Sequence, residues 1–142
     1  MHTPTKTRWN TVIDNLKKIL PLASEEGQLD MHEHRVQHAC YKCGTIHCVG
    51  GWYAIAAYDL INNPFEMGFS TGADRMALDL GFIADEYTPS RQLLGDWADE
   101  HPEIWGNIYG MSVFTSSKAY NGAKNMAEVI QFLEKVRDRS PD

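Results

Sequence analysis

Two segments near the ends of the chain repeat apolar residues every three or four positions, the spacing that places side chains on one face of an α-helix. The first covers residues 8–20 and is followed by Pro21, so we predict a helix that ends there. The second follows Asn125, which together with Glu128 is typical of a helix N-terminus. The apolar positions are Trp9, Val12, Ile13, Leu16 and Ile19 in the first segment, and Met126, Val129, Ile130, Leu133 and Val136 in the second.

The middle of the chain contains a segment, residues 46–61, that is apolar on nearly every side. Thr45 is a suitable N-cap before it, and Asn-Asn-Pro at 62–64 supplies a stop. Because such a helix must be covered by its neighbours, we predict that it lies at the centre of the fold. Gly50 and Gly51 each cost about 1 kcal/mol against alanine inside a helix. We therefore predict that another backbone passes close to this turn, and the approach of a ligand is the less favoured alternative.

Three further segments are marked by their boundaries. Thr71 and Asp74 resemble a capping box, and Gly81 is a left-handed stop for the helix that follows them. Thr88-Pro89 has the chemistry of an N-cap and first turn, ahead of a helix that carries Leu93, Leu94 and Trp97. Residues 101–124 are rich in glycine, serine and aromatic residues, so we predict a long loop there.

The fold class follows from these elements. No run of the sequence alternates apolar and polar residues for long enough to form a strand. We predict an all-α fold of five or six helices packed around the central helix at about 46–61, in a single domain that covers residues 1–142. We expect residues 1–7 and 139–142 to be flexible.

Acidic charge is concentrated in one part of the chain. The formal net charge is −6, and residues 59–103 hold ten acidic residues against only Arg75 and Arg91. Nucleic-acid binding is disfavoured, since phosphate contacts need clustered lysine and arginine. The simplest interpretation is a solvated face that aids solubility, and the functional one is a surface for a partner protein with a basic face.

The apolar runs of the sequence predict neither a membrane-spanning helix nor a secretion signal. The longest apolar-leaning run, Cys48–Tyr58, is far shorter than the roughly 20 residues that span a bilayer. The start of the sequence lacks the apolar block of a signal peptide. We therefore predict a soluble, cytoplasmic protein without a membrane partner, and no pattern indicates an oligomeric state.

All three cysteines and two of the six histidines lie in the stretch "HACYKCGTIHC". A tetrahedral zinc site needs four nitrogen or sulfur ligands, and Cys40-x-x-Cys43 has the spacing of half of one. His38 and Cys48 could complete it. His47 is the neighbour of Cys48 on a predicted helix, so their side chains point about 100° apart and seldom bind one ion together.

A reactive thiol is a second interpretation of the same stretch. Cys43 and Cys48 would lie near the positive end of the helix that Thr45 caps, where thiolate is favoured. His47 could pair with either sulfur, which would make a Cys-dependent enzyme.

A structural role is the third and simplest interpretation. Cysteine is among the most buried residue types. Gly44 permits a tight turn before the helix, Thr45 closes its first turn, and Cys48 and Trp52 would face inward. All three interpretations stay open at this point.

The stretch "LDMHEHRVQHACYKCGTIHCVGGW", Leu29–Trp52, resembles a family of small, largely uncharacterised proteins of bacteria and their phages. The shared features are a hydrophobic-Asp-Met element and a CGTxxCxxGW-like core. The resemblance implies that Cys43 and Cys48 belong to the motif and that Cys40 is an addition, and it implies a phage or mobile-element setting. The matching positions are Asp30, Met31, Cys43, Gly44, Thr45, Cys48, Gly51 and Trp52.

Signatures of common enzymes are missing: the sequence has no Walker loop, GxGxxG, HExxH or GxSxG motif. We therefore favour a non-enzymatic binding or regulatory protein without a cofactor, which acts on a host protein. The alternatives are a Cys-dependent enzyme that uses Cys43 or Cys48 with His47, and a zinc-stabilised interaction module.

Overall fold

A computed structural model describes residues 2–26, 49–58, 71–106 and 125–142. These residues form six helices and no strand, which confirms the predicted all-α fold class. No described helix combines the length and apolarity needed to cross a membrane. The helices are α1 (Lys6–Glu26), α2 (Val49–Ala57), α3 (Thr71–Asp79), α4 (Ser90–Glu100), α5 (Pro102–Trp105) and α6 (Met126–Arg139).

Helix α1 has the predicted apolar face but not the predicted end. Its five predicted core positions are all buried. The prediction that the helix ends at Pro21 is wrong, because Pro21 lies inside α1, which continues to Glu26. Proline removes one backbone donor from a helix. Pro21 is exposed, so water can satisfy the carbonyl group that loses its partner.

Helix α2 is buried at every position from Val49 to Ile55. Helices α1 and α3 both pack against it. Its nearly uniform apolar character is therefore explained by contact with neighbours on several sides. The helix ends at Ala57, earlier than the predicted residue 61, and residues 46–48 lie outside the described part of the chain.

The backbones of α2 and α3 approach each other closely at two glycines. A Cβ atom placed on Gly72 of α3 would lie 1.7 Å from the carbonyl oxygen of Gly50 and 3.1 Å from the Cβ of Ala54. No real Cβ atom comes so near to a backbone atom. The contact confirms the predicted passage of another backbone at this turn of α2, and it requires glycine at position 72.

The connection from α3 to α4 confirms one predicted boundary and corrects two. Gly81 has a φ of +97°, a conformation that favours glycine, so it ends α3 as predicted. Thr71 is the first residue of α3 rather than the cap before it. Pro89, not Thr88, occupies the N-cap position of α4, and its side chain makes no capping hydrogen bond.

Helix α3 supplies the missing cap for α4. Oδ1 of Asp74 accepts a hydrogen bond from the backbone N–H of Arg91 at 3.0 Å, and Oδ2 accepts one from Nη1 of the same arginine at 3.0 Å. The carboxylate thus satisfies an N–H group in the first turn of α4, where a negative charge is also favoured by the helix dipole. Asp74 of α3 therefore caps a different helix, α4, whereas the predicted capping box placed it at the start of its own helix.

The predicted loop at 101–124 begins with a short helix, which corrects that prediction. Pro102 occupies the first position of α5, and the backbone N–H groups of Ile104 and Trp105 donate to the carbonyl of His101. Both Ile104 and Trp105 are buried. A four-residue helix is too short to show periodicity in the sequence. Residues 107–124 lie outside the described ranges.

Helix α6 begins as predicted. The side chain of Asn125 accepts a hydrogen bond from the backbone N–H of Glu128 at 3.0 Å. The five predicted apolar positions of α6 are buried, and the helix packs along α1. Both ends of the chain thus contribute helices to the same core.

Aromatic side chains hold α1, α4, α5 and α6 together. Trp9 of α1 lies 6.2 Å from Trp97 of α4 and 6.0 Å from Trp105 of α5, measured between ring centroids. The two latter rings are 6.4 Å apart. Phe132 of α6 packs edge-on against Trp105 at 5.1 Å. Rings of this size bury much apolar area, so this group forms a major part of the core.

Residues near both ends of the chain make specific contacts, and the expected flexibility of residues 1–7 and 139–142 stays a prediction. The Nε2 atom of His2 lies 2.7 Å from the carbonyl oxygen of Leu80, and Nε1 of Trp97 donates to Oγ1 of Thr3 at 3.2 Å. At the other end, Ser140 is buried. The contacts of His2 and Thr3 join polar groups distant in sequence, and no hydrophobic pattern signals them.

Candidate functional site

The residues that the sequence proposes for metal binding or thiol chemistry lie outside the described residues. The zinc and thiol interpretations therefore stay predictions. Within the ranges that the structure describes, no group of three or more His, Cys, Asp or Glu side chains is placed to hold a metal ion. The residues outside are His38, Cys40, Cys43, Gly44, Thr45, His47 and Cys48.

The other members of the predicted motif are buried in α2. Gly50, Gly51 and Trp52 all belong to this helix and have no significant exposure. Gly50 meets Gly72 of α3. None of the three residues is exposed, so in this structure they contribute to the packing of α2 against its neighbours.

A partly buried hydrogen-bond network, which the sequence did not predict, links α1, α2 and α3. The hydroxyl of Tyr53 donates to Oδ2 of Asp79 at 2.5 Å, and Nδ2 of Asn15 donates to the Tyr53 oxygen at 3.0 Å. Arg75 Nε lies 3.2 Å from Oδ1 of Asp79 and forms an ion pair with it. The pKa of Tyr53 is raised well above its ordinary value. Burial is the largest cause, and the hydrogen bond to Asp79 is the second. The phenol is therefore protonated at neutral pH, and it joins three helices.

The connection between α3 and α4 exposes two large apolar side chains. We refer to residues 83–87 as the 83–87 loop. Ile83 is 78% exposed and Tyr87 is 88% exposed. Side chains of this size are usually buried, and aromatic residues are enriched where proteins bind each other. Their presence on one short loop marks a candidate contact surface.

The 83–87 loop is closed by the side chain of Asp85. Its Oδ1 atom accepts hydrogen bonds from the backbone N–H groups of Tyr87 and Thr88, both at 2.8 Å. The backbone N–H of Asp85 in turn donates to the carbonyl of Thr88 at 3.2 Å. This is the local geometry by which aspartate stabilises turns. The turn fixes the backbone that carries Tyr87.

Acidic side chains lie on the 83–87 loop itself and, at the other end of α4, near the start of α5. Both arginines of the acidic region are paired with carboxylates on α3, since Arg75 pairs with Asp79 at 3.2 Å and Arg91 pairs with Asp74 at 3.0 Å. These pairs leave other acidic side chains of the region at the surface. Among the described residues of the region, the exposed acidic ones are Asp85, Glu86, Asp99, Glu100 and Glu103.

His101 lies between α4 and α5 and stacks on the ring of Trp97 at 5.5 Å. Its Nδ1 atom is 2.8 Å from Oε1 of Glu103. The hydrogen bond from His101 lowers the pKa of the exposed Glu103 carboxyl. The hydrogen bond therefore favours the ionised form of the Glu103 carboxyl, at the second position of α5.

The order of residues 85–89 favours a turn, which amino-acid composition alone does not indicate. Asp85 and Glu86 precede Tyr87, and Thr88-Pro89 follows it. Aspartate before Thr-Pro favours a turn. An aromatic residue inside a turn is a candidate for exposure because it belongs to no apolar helix face.

Comparisons of the chain with protein-family models, curated proteins and solved structures find no match. The resemblance carried by Leu29–Trp52 therefore stays a prediction. Function has to be inferred from the residues and their geometry.

Proposed function

We propose that the chain is a non-enzymatic regulatory protein that binds a partner protein through its acidic region and modulates that partner. The observation that carries the proposal is the set of exposed carboxylates at residues 85–103, two of which lie on the same loop as two exposed apolar side chains. The arginines of the region, Arg75 and Arg91, are engaged by Asp79 and Asp74.

The charge supports a particular kind of partner. Nucleic acids and anionic membrane surfaces carry negative charge, so an acidic surface disfavours contact with them. A protein surface rich in lysine and arginine is attracted instead, and complementary charge raises association rates and excludes wrong partners. We therefore propose a basic protein surface as the target.

The setting that we propose follows from the resemblance at Leu29–Trp52. A small cytoplasmic protein of a phage or mobile element that carries no cofactor can act by covering a surface of a host protein. Inhibition or modulation of that host protein is then the simplest mode of action.

Capture from a bacterial lysate at moderate salt tests the proposed function. The double variant Glu86→Gln with Glu100→Gln removes two exposed charges from the acidic region. The matched control, Asp14→Asn with Asp138→Asn, removes two exposed charges from α1 and α6. We expect the wild type to retain a specific protein that added salt releases. The first double variant should retain much less of it, and the control should retain as much as the wild type.

Two results would contradict the proposed function. One is the retention of no protein in a salt-dependent manner. The other is equal retention by both double variants, which would mean that the charges of the acidic region do not take part.

The Cys-dependent alternative is tested separately by thiol reactivity. If Cys43 or Cys48 is a nucleophile activated by His47, one thiol reacts with iodoacetamide at neutral pH much faster than cysteine in a short peptide. Our proposal expects no such thiol, so a single fast-reacting cysteine together with turnover of a substrate would favour the enzyme.

A further inference from the structure

The 83–87 loop presents its two apolar side chains in a form suited to binding. Ile83 and Tyr87 are the most exposed large apolar residues among those that the structure describes, and the next, Leu78, is only 43% exposed. Tyrosine combines a large apolar ring with a polar tip, and it is enriched among residues that dominate binding energies. Burial of these two side chains on a partner would remove apolar surface from water.

The backbone of the loop is already ordered without a partner. The carboxylate of Asp85 holds the N–H groups of Tyr87 and Thr88, both at 2.8 Å. Side chains carried on an ordered turn lose less conformational freedom when they bind than side chains on a flexible segment. The loop is therefore organised in advance for contact.

Charge decides which occupant fits the loop. Asp85 and Glu86 lie between the two apolar residues, and both are exposed. A second copy of the chain that docked through the same loop would bring these carboxylates close to their own copies, which is unfavourable. A partner whose apolar pocket is edged by lysine or arginine satisfies both the apolar and the acidic side chains.

We propose that the 83–87 loop is the docking element of this protein: Ile83 and Tyr87 enter an apolar pocket of a partner protein, and Asp85 and Glu86 pair with basic residues at the edge of that pocket. The inference depends on the proposed function, because it specifies where the partner binds. It assigns the main contact to the loop rather than to the remaining acidic side chains of α4 and α5.

Selection from a library of random peptides provides a defined probe. The full-length wild-type chain is immobilised, bound peptides are enriched, and the enriched peptides are synthesised for fluorescence-anisotropy titrations. We expect them to combine aromatic or aliphatic residues with several lysines or arginines. Tyr87→Ala and Ile83→Ala should each weaken their binding, with a loss of about tenfold or more for Tyr87→Ala. Gln131→Ala, an exposed position on α6, is the control and should change nothing.

Two variants of Asp85 distinguish its effect on the backbone of the loop from the effect of its charge. Asp85→Asn keeps a side-chain oxygen that can accept the two backbone hydrogen bonds, whereas Asp85→Ala removes both the acceptor and the charge. We expect Asp85→Ala to weaken peptide binding more than Asp85→Asn does. Equal loss in the two variants would show that Asp85 contributes only charge. Circular dichroism and thermal melting establish that each variant is folded.

The outcomes also separate this inference from the proposed function. Peptide binding that falls in the Glu86→Gln, Glu100→Gln double variant but not in Ile83→Ala or Tyr87→Ala overturns the docking role and leaves the proposed function standing. Peptides without basic residues, or no effect of any of these variants, overturn both. Sedimentation that shows a dimer abolished by Tyr87→Ala would make a second copy the occupant and would also overturn the inference.

Discussion

Replacement of Gly72 by alanine is the sharpest test of the fold. Alanine is the best helix former, so in an unconstrained helix this change stabilises by about 1 kcal/mol. Here the new methyl carbon would lie 1.7 Å from the carbonyl oxygen of Gly50 and 2.6 Å from its carbonyl carbon. Both are backbone atoms, so no rotation of a side chain can relieve the overlap. We therefore expect the substitution to destabilise the protein.

The size of the effect follows from the displacement that the contact requires. To restore an ordinary contact distance of 3.4 Å, α3 must move away from α2 by about 1.7 Å, which disturbs close packing along both helices. Overpacking that shifts the backbone typically costs about 1–3 kcal/mol, and we expect the upper end of this range because the overlap is with backbone atoms. After the gain of about 1 kcal/mol in helix propensity is subtracted from this cost, we expect the free energy of unfolding to fall by about 2 kcal/mol.

Urea denaturation followed by circular dichroism measures this change. Ala54→Gly removes the methyl group that would lie 3.1 Å from the new Cβ, but it leaves the overlap with the Gly50 backbone. The double variant with Gly72→Ala should therefore be no more stable than Gly72→Ala alone. A Gly72→Ala variant as stable as the wild type, or one rescued by Ala54→Gly, would refute the close backbone contact.

Three further predictions concern the contacts of α2, α3 and α4. Tyr53→Phe removes the hydrogen bond to Asp79 and should lower the free energy of unfolding at neutral pH by about 1 kcal/mol in urea denaturation. Because the pKa of Tyr53 is raised in the folded state, its contribution is complete below the ordinary pKa of about 10 and is lost as pH rises above it. The alkaline loss of stability should consequently be shallower in Tyr53→Phe, and equal slopes would contradict the network. Asp74→Ala removes the acceptor for the Arg91 backbone and should cost about 1 kcal/mol in the same assay, whereas Asp74→Asn, which keeps one oxygen, should cost less. Asp74→Ala should also weaken binding of peptides selected on the 83–87 loop, and unchanged affinity would show that the cap does not position this loop.

The helices that could be predicted are those whose apolar residues recur along one face. In α1 and α6, burial follows the sequence period, so residues such as Trp9 and Leu133 were assigned to the core correctly. The end of α1 could not be read from Pro21, because a proline removes one backbone hydrogen bond but does not always end a helix, and α1 continues to Glu26. The four residues of α5 could not be recognised either, since a single turn has no period.

The hydrogen bonds between helices could not be predicted from the sequence, for a different reason. The partners in the network of Tyr53 are separated by 38 positions from Asn15 and by 26 from Asp79. Only the packing of three helices brings these side chains together, and residue spacing within one helix carries no information about it. Tyr53 lies in the segment predicted as the central helix and is buried, but the partners of its hydroxyl group depend on the packing of the helices.

The surroundings of the 83–87 loop explain how a small protein can hold apolar side chains in water. On the N-terminal side, Phe82 is buried and packs against Trp97 at 6.1 Å. On the C-terminal side, Asp74 holds the first turn of α4 through Arg91. The loop is thus fixed at both ends by contacts with the core rather than by its own exposed side chains.

This arrangement separates stability from binding. The apolar residues of the loop are exposed, so their replacement leaves the core intact, and they can vary with the surface of a partner. The residues that fix the loop are buried or hydrogen-bonded, so they are constrained by the fold. Because the backbone of the loop is ordered during folding, the loss of backbone conformational entropy on association is small. The acidic residues between the apolar ones then restrict which apolar pockets can accept the loop, because a pocket without basic residues at its edge would leave their charges desolvated and unpaired.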